Sequence, residues 1–222
     1  MGVAASRNGA ASARVVLRPD AQLLVVADGF GRIDGVPIAN AAVARLRVAI
    51  ERRARSERFA RALDRPEPAS ALLAAEIAKV NEALFARSAS NQDYVSAGCS
   101  LTAALIVRRR VILAHVGATS AHLTGGGRSR SLTPHHVASA FPVRLLTRAL
   151  GAYGRVEPAL AAFDADDGDA LVLCDARERK VLEHRFEAST LVVPFGAVRD
   201  RLGAIGPAAA AAFFAIAMLC VR

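Results

Sequence analysis

Carboxylates, thiols and imidazoles can hold a metal, move a proton or attack a bond, and in this chain they fall at a few marked places. Asp28 ends the apolar run Leu23-Leu24-Val25-Val26-Ala27 and opens the turn Asp28-Gly29-Phe30-Gly31. A carboxylate there sits where a buried strand runs into a glycine-rich turn, within reach of a ligand. Aspartate and glycine also suit such a turn with no metal at all. The stretch Asp164-Ala165-Asp166-Asp167-Gly168-Asp169 has the look of a calcium loop. Its glycine falls one place early for an EF-hand and no glutamate closes the loop, so calcium binding is not expected there.

The thiols and imidazoles point to less. Cys99, Cys174 and Cys220 are odd in number and lie outside any CxxC or Cys/His spacing. That argues against a disulfide framework or a zinc site and fits a reducing cytosolic compartment. Cys99 and Cys174 stand in apolar, strand-like runs, where a thiol acts as a small buried hydrophobe. His115 is expected to point into the fold. His135 and His136 could ligate a transition metal, but adjacent residues on one loop seldom do so alone.

The elements that must position these groups follow from periodicity. A buried strand covers 23–27. Apolar positions at helical spacing (Val43, Leu46, Ile50) run through 38–63, with Arg52, Arg53, Arg55, Arg58 and Arg61 between and beyond them. Those arginines could bind phosphates, but such a run is first of all the solvated face of an amphipathic helix. Arg65-Pro66-Glu67-Pro68 breaks this helix, and a second spans 70–87 with Leu72, Leu73, Ile77, Val80 and Leu84 inward. Runs at 100–107 and 111–116 flank Arg108-Arg109-Arg110 and predict a β-hairpin. Strands are expected at 121–124, before Gly125-Gly126-Gly127, at 170–174 and at 190–193, with a short helix over 143–150.

Composition sets the outer bounds. With 222 residues, 53% hydrophobic residues and a mean hydropathy of +0.30, the chain forms one well-buried domain rather than a disordered polymer. Its net charge is +9, and among 29 basic residues only Lys79 and Lys180 are lysine. An Arg- and Ala-rich composition of this kind reflects a GC-rich genome, so the charge alone does not name a partner. Nucleic acid is not expected, because stacking aromatics are absent from the arginine-rich helix apart from Phe59. Residues 204–221 carry no charge and are read as an apolar C-terminal helix. At the short end of a membrane span, it either packs on the domain or anchors it to the inner membrane.

In order along the chain, the motifs are more specific than singly. Val26-Ala27-Asp28-Gly29-Phe30-Gly31 is followed by Gly98-Cys99-Ser100-Leu101-Thr102-Ala103-Ala104, then Ala114-His115-Val116-Gly117. After these come Leu132-Thr133-Pro134-His135-His136, Leu146-Thr147-Arg148-Ala149-Leu150-Gly151 and Gly168-Asp169-Ala170-Leu171-Val172-Leu173-Cys174. The succession resembles the PP2C-type (PPM) metal-dependent serine/threonine protein phosphatases, in their bacterial form, over residues 8–194. The resemblance implies an α+β fold, an α-β-β-α sandwich of two antiparallel sheets flanked by helices. It also implies a binuclear Mn²⁺ or Mg²⁺ centre whose bridging water attacks a phosphoserine or phosphothreonine. Two ions close together need several carboxylates to neutralise them while they acidify that water.

Measured against that pattern, the acidic positions are thinned. The metal-bridging aspartate corresponds to Asp28, beside the Gly29 carbonyl. The aspartate of the early Asn-Glu-Asp motif falls at Ala10, and the phosphate-binding arginine ahead of it at Ala5, with Arg7 nearby. The aspartate associated with a third metal falls at Ala118. The Ser-Asp-Gly motif reads Asp175-Ala176-Arg177, which puts alanine in register and Asp175 one place off. In a strand that shift turns a side chain to the opposite face. The last Asp-Asn reads Glu187-Ala188, and between Leu182 and Glu187 the helical segment carried by the family is lacking. The residual ligand set is thus Asp28, Gly29 and Glu187, with Asp175 off register, and Ala10, Ala118 and Ala176 at degenerate positions. The expectation is a pseudophosphatase: a signalling regulator that binds a phosphoprotein or a kinase, with Mn or Mg bound weakly or not at all. The alternative is a divergent Mn/Mg-dependent phosphatase working through Asp28, Glu187 and Asp175.

Overall fold

The structure is a computed structural model that describes residues 2–5, 10–31, 36–63, 65–90, 97–125, 128–140, 143–166, 168–175 and 215–218. Two antiparallel strands lead, β1 (Gly2–Ala5) and β2 (Ala10–Arg18), followed by β3 (Ala21–Phe30). Three helices come next: α1 (Val36–Ala54), α2 (Glu57–Leu63) and α3 (Pro66–Ser90). The remaining strands are β4 (Gly98–Val107), β5 (Arg110–Val116), β6 (Ser120–Gly125), β7 (Arg128–Ser131), β8 (Val137–Ala140), β9 (Val143–Leu146), β10 (Ala159–Asp164), β11 (Ala170–Cys174) and β12 (Ala215–Met218).

One sheet runs β1-β2-β3-β4-β5-β10, a second β12-β11-β6-β7, and β8 and β9 form a small hairpin. Strand alternation divides the first sheet's side chains between two cores. Leu23, Val25, Leu101, Ala103, Leu105 and Ile112 face the helices and meet Leu46, Ile50, Leu73 and Ile77. Their neighbours Leu24, Val26, Ala104, Ile106 and Leu113 face the second sheet and meet Ala121, Leu123, Leu171 and Leu173. The result is the expected α+β sandwich of antiparallel sheets, with the described helices on the outer face of the first. Among the described residues, no helix is long and apolar enough to cross a membrane.

Local chemistry explains the boundaries. The helix read over 38–63 is two, because Ser56 interrupts it. Its hydroxyl accepts from the Phe59 N–H at 3.3 Å and starts α2 as an N-cap. The prolines read as a break lie inside the first turn of α3, where a missing N–H costs nothing. The β4–β5 hairpin turns through Arg108 and Arg109, and Arg108 adopts φ 54°, unusual for a side-chain-bearing residue. Asp20 holds it there: the Asp20 carbonyl accepts from the Arg108 N–H at 2.8 Å, and its carboxylate pairs with the guanidinium.

The stretch 143–150 is a correction. It carries strand β9, paired with β8, and Leu150 bridges to Cys99, where a helix was expected. Its apolar positions suit either period, and a partner strand six residues upstream decides the matter. In the apolar stretch 204–221, the described residues Ala215–Met218 form a strand rather than helix, hydrogen-bonded along β11. The open edge of β11 offers backbone partners that an alanine-rich helix would leave unused. The strand expected over 190–193 lies outside the described residues. Strands β1, β2, β7, β8 and β10 are not expected from the sequence patterns.

Candidate functional site

Asp28 lies two residues before the end of β3, at one end of the first sheet. Its direct cross-strand partners are Ala10 on β2 and Ser100 on β4, so the three side chains share the face that looks towards the second sheet. Ala10 is fully buried. A methyl group therefore faces the carboxylate on one side and a hydroxyl on the other. The next place in the row belongs to Gly117, just past β5, at φ 96°. A Cβ there would stand 2.3 Å from the Ser100 hydroxyl, so only glycine lets the chain fold this tightly over Ser100. The Ala118 N–H then donates to Ser100 Oγ at 2.9 Å. Ala118 takes its place in the site by its backbone alone.

One rung further in, a buried polar network joins the sheets. Thr102 Oγ1 lies 2.9 Å from His115 Nδ1 and 2.8 Å from Thr119 Oγ1. His115 Nε2 is 3.1 Å from the Gly117 carbonyl, which can only accept, so Nε2 carries the hydrogen and Nδ1 accepts from Thr102. His136 Nδ1 accepts from the Gly117 N–H at 3.1 Å, and its ring stacks on His115 with centroids 4.9 Å apart. Burial lowers the His136 pKa, and the nearby Arg148 charge lowers it further, so the ring stays neutral. His115 is structural, as the sequence indicates. His135 faces solvent while His136 turns inward, so the adjacent pair does not converge on one point.

The two described thiols, Cys99 and Cys174, behave as core, and Cys220 lies outside the described residues. Cys99, opposite Gly29, is fully buried, and its pKa is pushed up to about 12 by burial, with the Asp28 charge adding. Such a thiol is no nucleophile at neutral pH. Cys174 Sγ lies 2.9 Å from Ser120 Oγ, which in turn meets His122 Nε2 at 3.0 Å. Asp175 follows Cys174 and is buried, 5% exposed, where the second sheet approaches the Gly117–Thr119 turn. The calcium-like acidic turn is consumed by the hairpin arginines: Arg109 binds Asp166 at 2.9 Å and Arg110 binds Asp164 at 3.0 Å.

Ala5 lies on β1, opposite Ala11. Arg7, Ala176, Arg177, Glu187 and Ala188 lie outside the described residues. Ser100, Thr102, Thr119, Ser120 and His122 belong to the site region and were not singled out by sequence. Their only signal is the two-residue spacing of Ser100 and Thr102, and of Ser120 and His122, inside otherwise apolar strands.

Hard divalent ions need a cage of oxygen ligands, mostly carboxylates. Among the described residues, the cross-strand partners of Asp28 are the Ala10 methyl and the Ser100 hydroxyl, which already accepts from the Ala118 N–H. Among the described residues no group of three His, Cys, Asp or Glu side chains converges for a metal. Among the described residues these donors are too few for a binuclear centre, and Glu187 lies outside them.

No protein-family model matches the sequence, and no curated protein matches it in a sequence comparison. Solved structures do match. A bacterial serine phosphatase carrying a point substitution superposes with a TM-score of 0.73 at 19% identity, over 95% of this chain and 89% of its own. The serine/threonine phosphatase Stp1 of Staphylococcus aureus gives 0.64 at 20% identity, over 78% and 74%. The catalytic domain of the serine/threonine protein phosphatase PstP, solved with two manganese ions, gives 0.63 at 22% identity, over 91% of each chain.

Proposed function

We propose, from the bacterial PP2C-type phosphatase fold that this chain has, that it acts as a pseudophosphatase, a regulator that binds a phosphoprotein or a kinase without hydrolysing phosphate. The observation that carries the reading is Ala10, fully buried and directly opposite Asp28 on the β2–β3 ladder. The resemblance places a carboxylate at that position, facing the one that survives. With a methyl group there, Asp28 has no second carboxylate across the β2–β3 rung, and on β4 its partner is Ser100. One carboxylate binds a hydrated Mg²⁺ or Mn²⁺ only weakly. A second metal would have to be neutralised by further carboxylates, and among the described residues no group of three candidate ligands converges to supply them.

The Gly117–Thr119 turn supports the same reading. Its N–H groups and carbonyl are taken by Ser100, His136 and His115, so the segment is fixed by the protein's own side chains. What the site retains is a shaped, polar end to the sandwich, suited to contact rather than turnover. The apolar stretch 204–221, of which only β12 is described, leaves membrane anchorage as a separate question for fractionation.

The experiment is Mn²⁺ titration by calorimetry on the full chain, with para-nitrophenyl phosphate and phosphopeptide turnover on the same sample. The expected outcome is no stoichiometric Mn²⁺ binding and no turnover in a protein that melts cooperatively. Stoichiometric binding, with turnover abolished by Asp28→Ala, would overturn the reading in favour of a divergent phosphatase using Asp28, Glu187 and Asp175.

A further inference from the structure

We propose that the outer face of α1, continued onto α2, is a docking surface for an acidic segment of a partner protein, its charge supplied by phosphates or clustered carboxylates. The inference rests on the reading of the chain as a binding regulator and says where a partner is held.

Arg45, Val48, Arg52 and Arg55 recur every three or four residues and line the solvent side of α1 and the residue just past it. The opposite side, with Val43, Leu46 and Ile50, is buried. Arg58, on α2, and Arg65, just beyond it, extend the basic run. Neighbouring arginines are neutralised: Arg47 by Glu51, Arg53 by Glu76 and Arg61 by Glu57. Arg45, Arg52, Arg55, Arg58 and Arg65 are exposed, and among the described residues they make no side-chain hydrogen bond or ion pair.

Solvation alone does not account for the pattern. The negative end of the α1 dipole favours Arg52 in its last turn, but it does nothing for Arg45 in the middle of the helix. Arg58 stands in the first turn of α2, where the dipole disfavours a cation. Arg58 is thus kept against the local helix field, and Arg45, Arg55 and Arg65 without an acidic partner among the described residues, as a surface with an anionic partner would keep them. Arg45 and Arg52 lie roughly 10 Å apart along the helix, a span that two anionic groups a few residues apart on a peptide can match.

The chemistry of the face favours a protein segment. Single-stranded nucleic acid is held by stacking on exposed aromatics, and the one aromatic on α1 and α2, Phe59, is buried. A helix that seats in a membrane surface needs a continuous apolar face. Among the described side chains of α1, Val48, 54% exposed, is the one large apolar residue that is exposed. Planar guanidiniums engage carboxylates and phosphates in pairs of hydrogen bonds.

The test is fluorescence anisotropy on the full chain, with a labelled peptide carrying two phosphoserines four residues apart. The same peptide with glutamates separates phosphate from carboxylate, and the serine peptide is the blank. Binding of either anionic peptide is expected to weaken at least tenfold in the R52E/R55E variant, to fall with added salt, and to survive Asp28→Ala unchanged. If R52E/R55E does not melt cooperatively, R52Q/R55Q replaces it, with the same direction expected. Binding that ignores both variants would overturn the proposal. So would tighter binding of oligothymidylate or of phosphatidylglycerol vesicles than of either peptide. Binding lost in Asp28→Ala but kept in the arginine variants would also overturn it, and would leave the regulator reading standing with its contact at the sandwich end.

Discussion

Across the rung where β2 meets β3, the Ala10 methyl group stands opposite the Asp28 carboxylate. Replacing it shows what the rung can hold. In Ala10→Asp two carboxylates would face each other directly, and like charges so placed repel. We expect that variant to lose about 1–3 kcal/mol in EDTA, the scale of a buried group left without its partner, and to recover on addition of Mn²⁺. The wild-type melting temperature should not move with Mn²⁺. Thermal melts of both proteins in EDTA and in Mn²⁺ check this, and an Ala10→Asp protein indifferent to the ion would show that the rest of the ligand field is missing too. Asp28 was legible in sequence because an Asp-Gly pair closes an apolar run. The Thr102–His115–Gly117–His136 network was not, because its bonds cross strands whose register a single sequence does not state. Nor can two adjacent histidines reveal which one turns inward.

At the scale of elements, the ion cluster of Glu76 ties α1 to α3. Its carboxylate is 2% exposed and accepts from Arg53 Nε at 2.6 Å and Lys79 Nζ at 3.0 Å. Burial alone would raise the Glu76 pKa, but the bonds and charges of Lys79 and Arg53 outweigh it and the net shift is downward. A carboxyl with a lowered folded-state pKa stabilises the fold above its unfolded pKa, and that stability is lost as pH falls through the folded value. Glu76→Gln should cost about 1–3 kcal/mol at pH 7, since it leaves the two cations with a weaker acceptor. It should also flatten the loss of stability on acidification below about pH 4.5. Urea unfolding across that pH range measures both effects. Periodicity found α1, α3 and the β4–β5 hairpin because each repeats its apolar spacing over many residues. It failed for β9 and missed β10, short strands whose alanines and leucines fit helix and strand alike and whose state is fixed by β8 and β5.

For the whole molecule, the sandwich depends on pairings distant in sequence. Strand β12 comes from the far end of the chain and borders β11, which no local pattern announces. A chain cut after residue 202 leaves that edge of β11 open. We expect its melting temperature to fall by about 5 °C or more, the consequence of losing a few kcal/mol in a domain of this size. Calorimetric melting of full and shortened chains checks this, and an unchanged melt would remove β12 from the stable core. The order of the first sheet reaches further still. Its two central strands, β3 and β4, pair rung by rung from Ala21 opposite Val107 to Phe30 opposite Gly98. All three helices lie in the chain between them. The β2–β3 and β4–β5 hairpins can each zip from a short turn. Joining them closes a long loop, whose entropy must be lost before the contacts form. Folding therefore splits in time, with two quick hairpins waiting on a slow encounter that the helices must bridge, and the seam down the middle of the sheet marks where that encounter takes place.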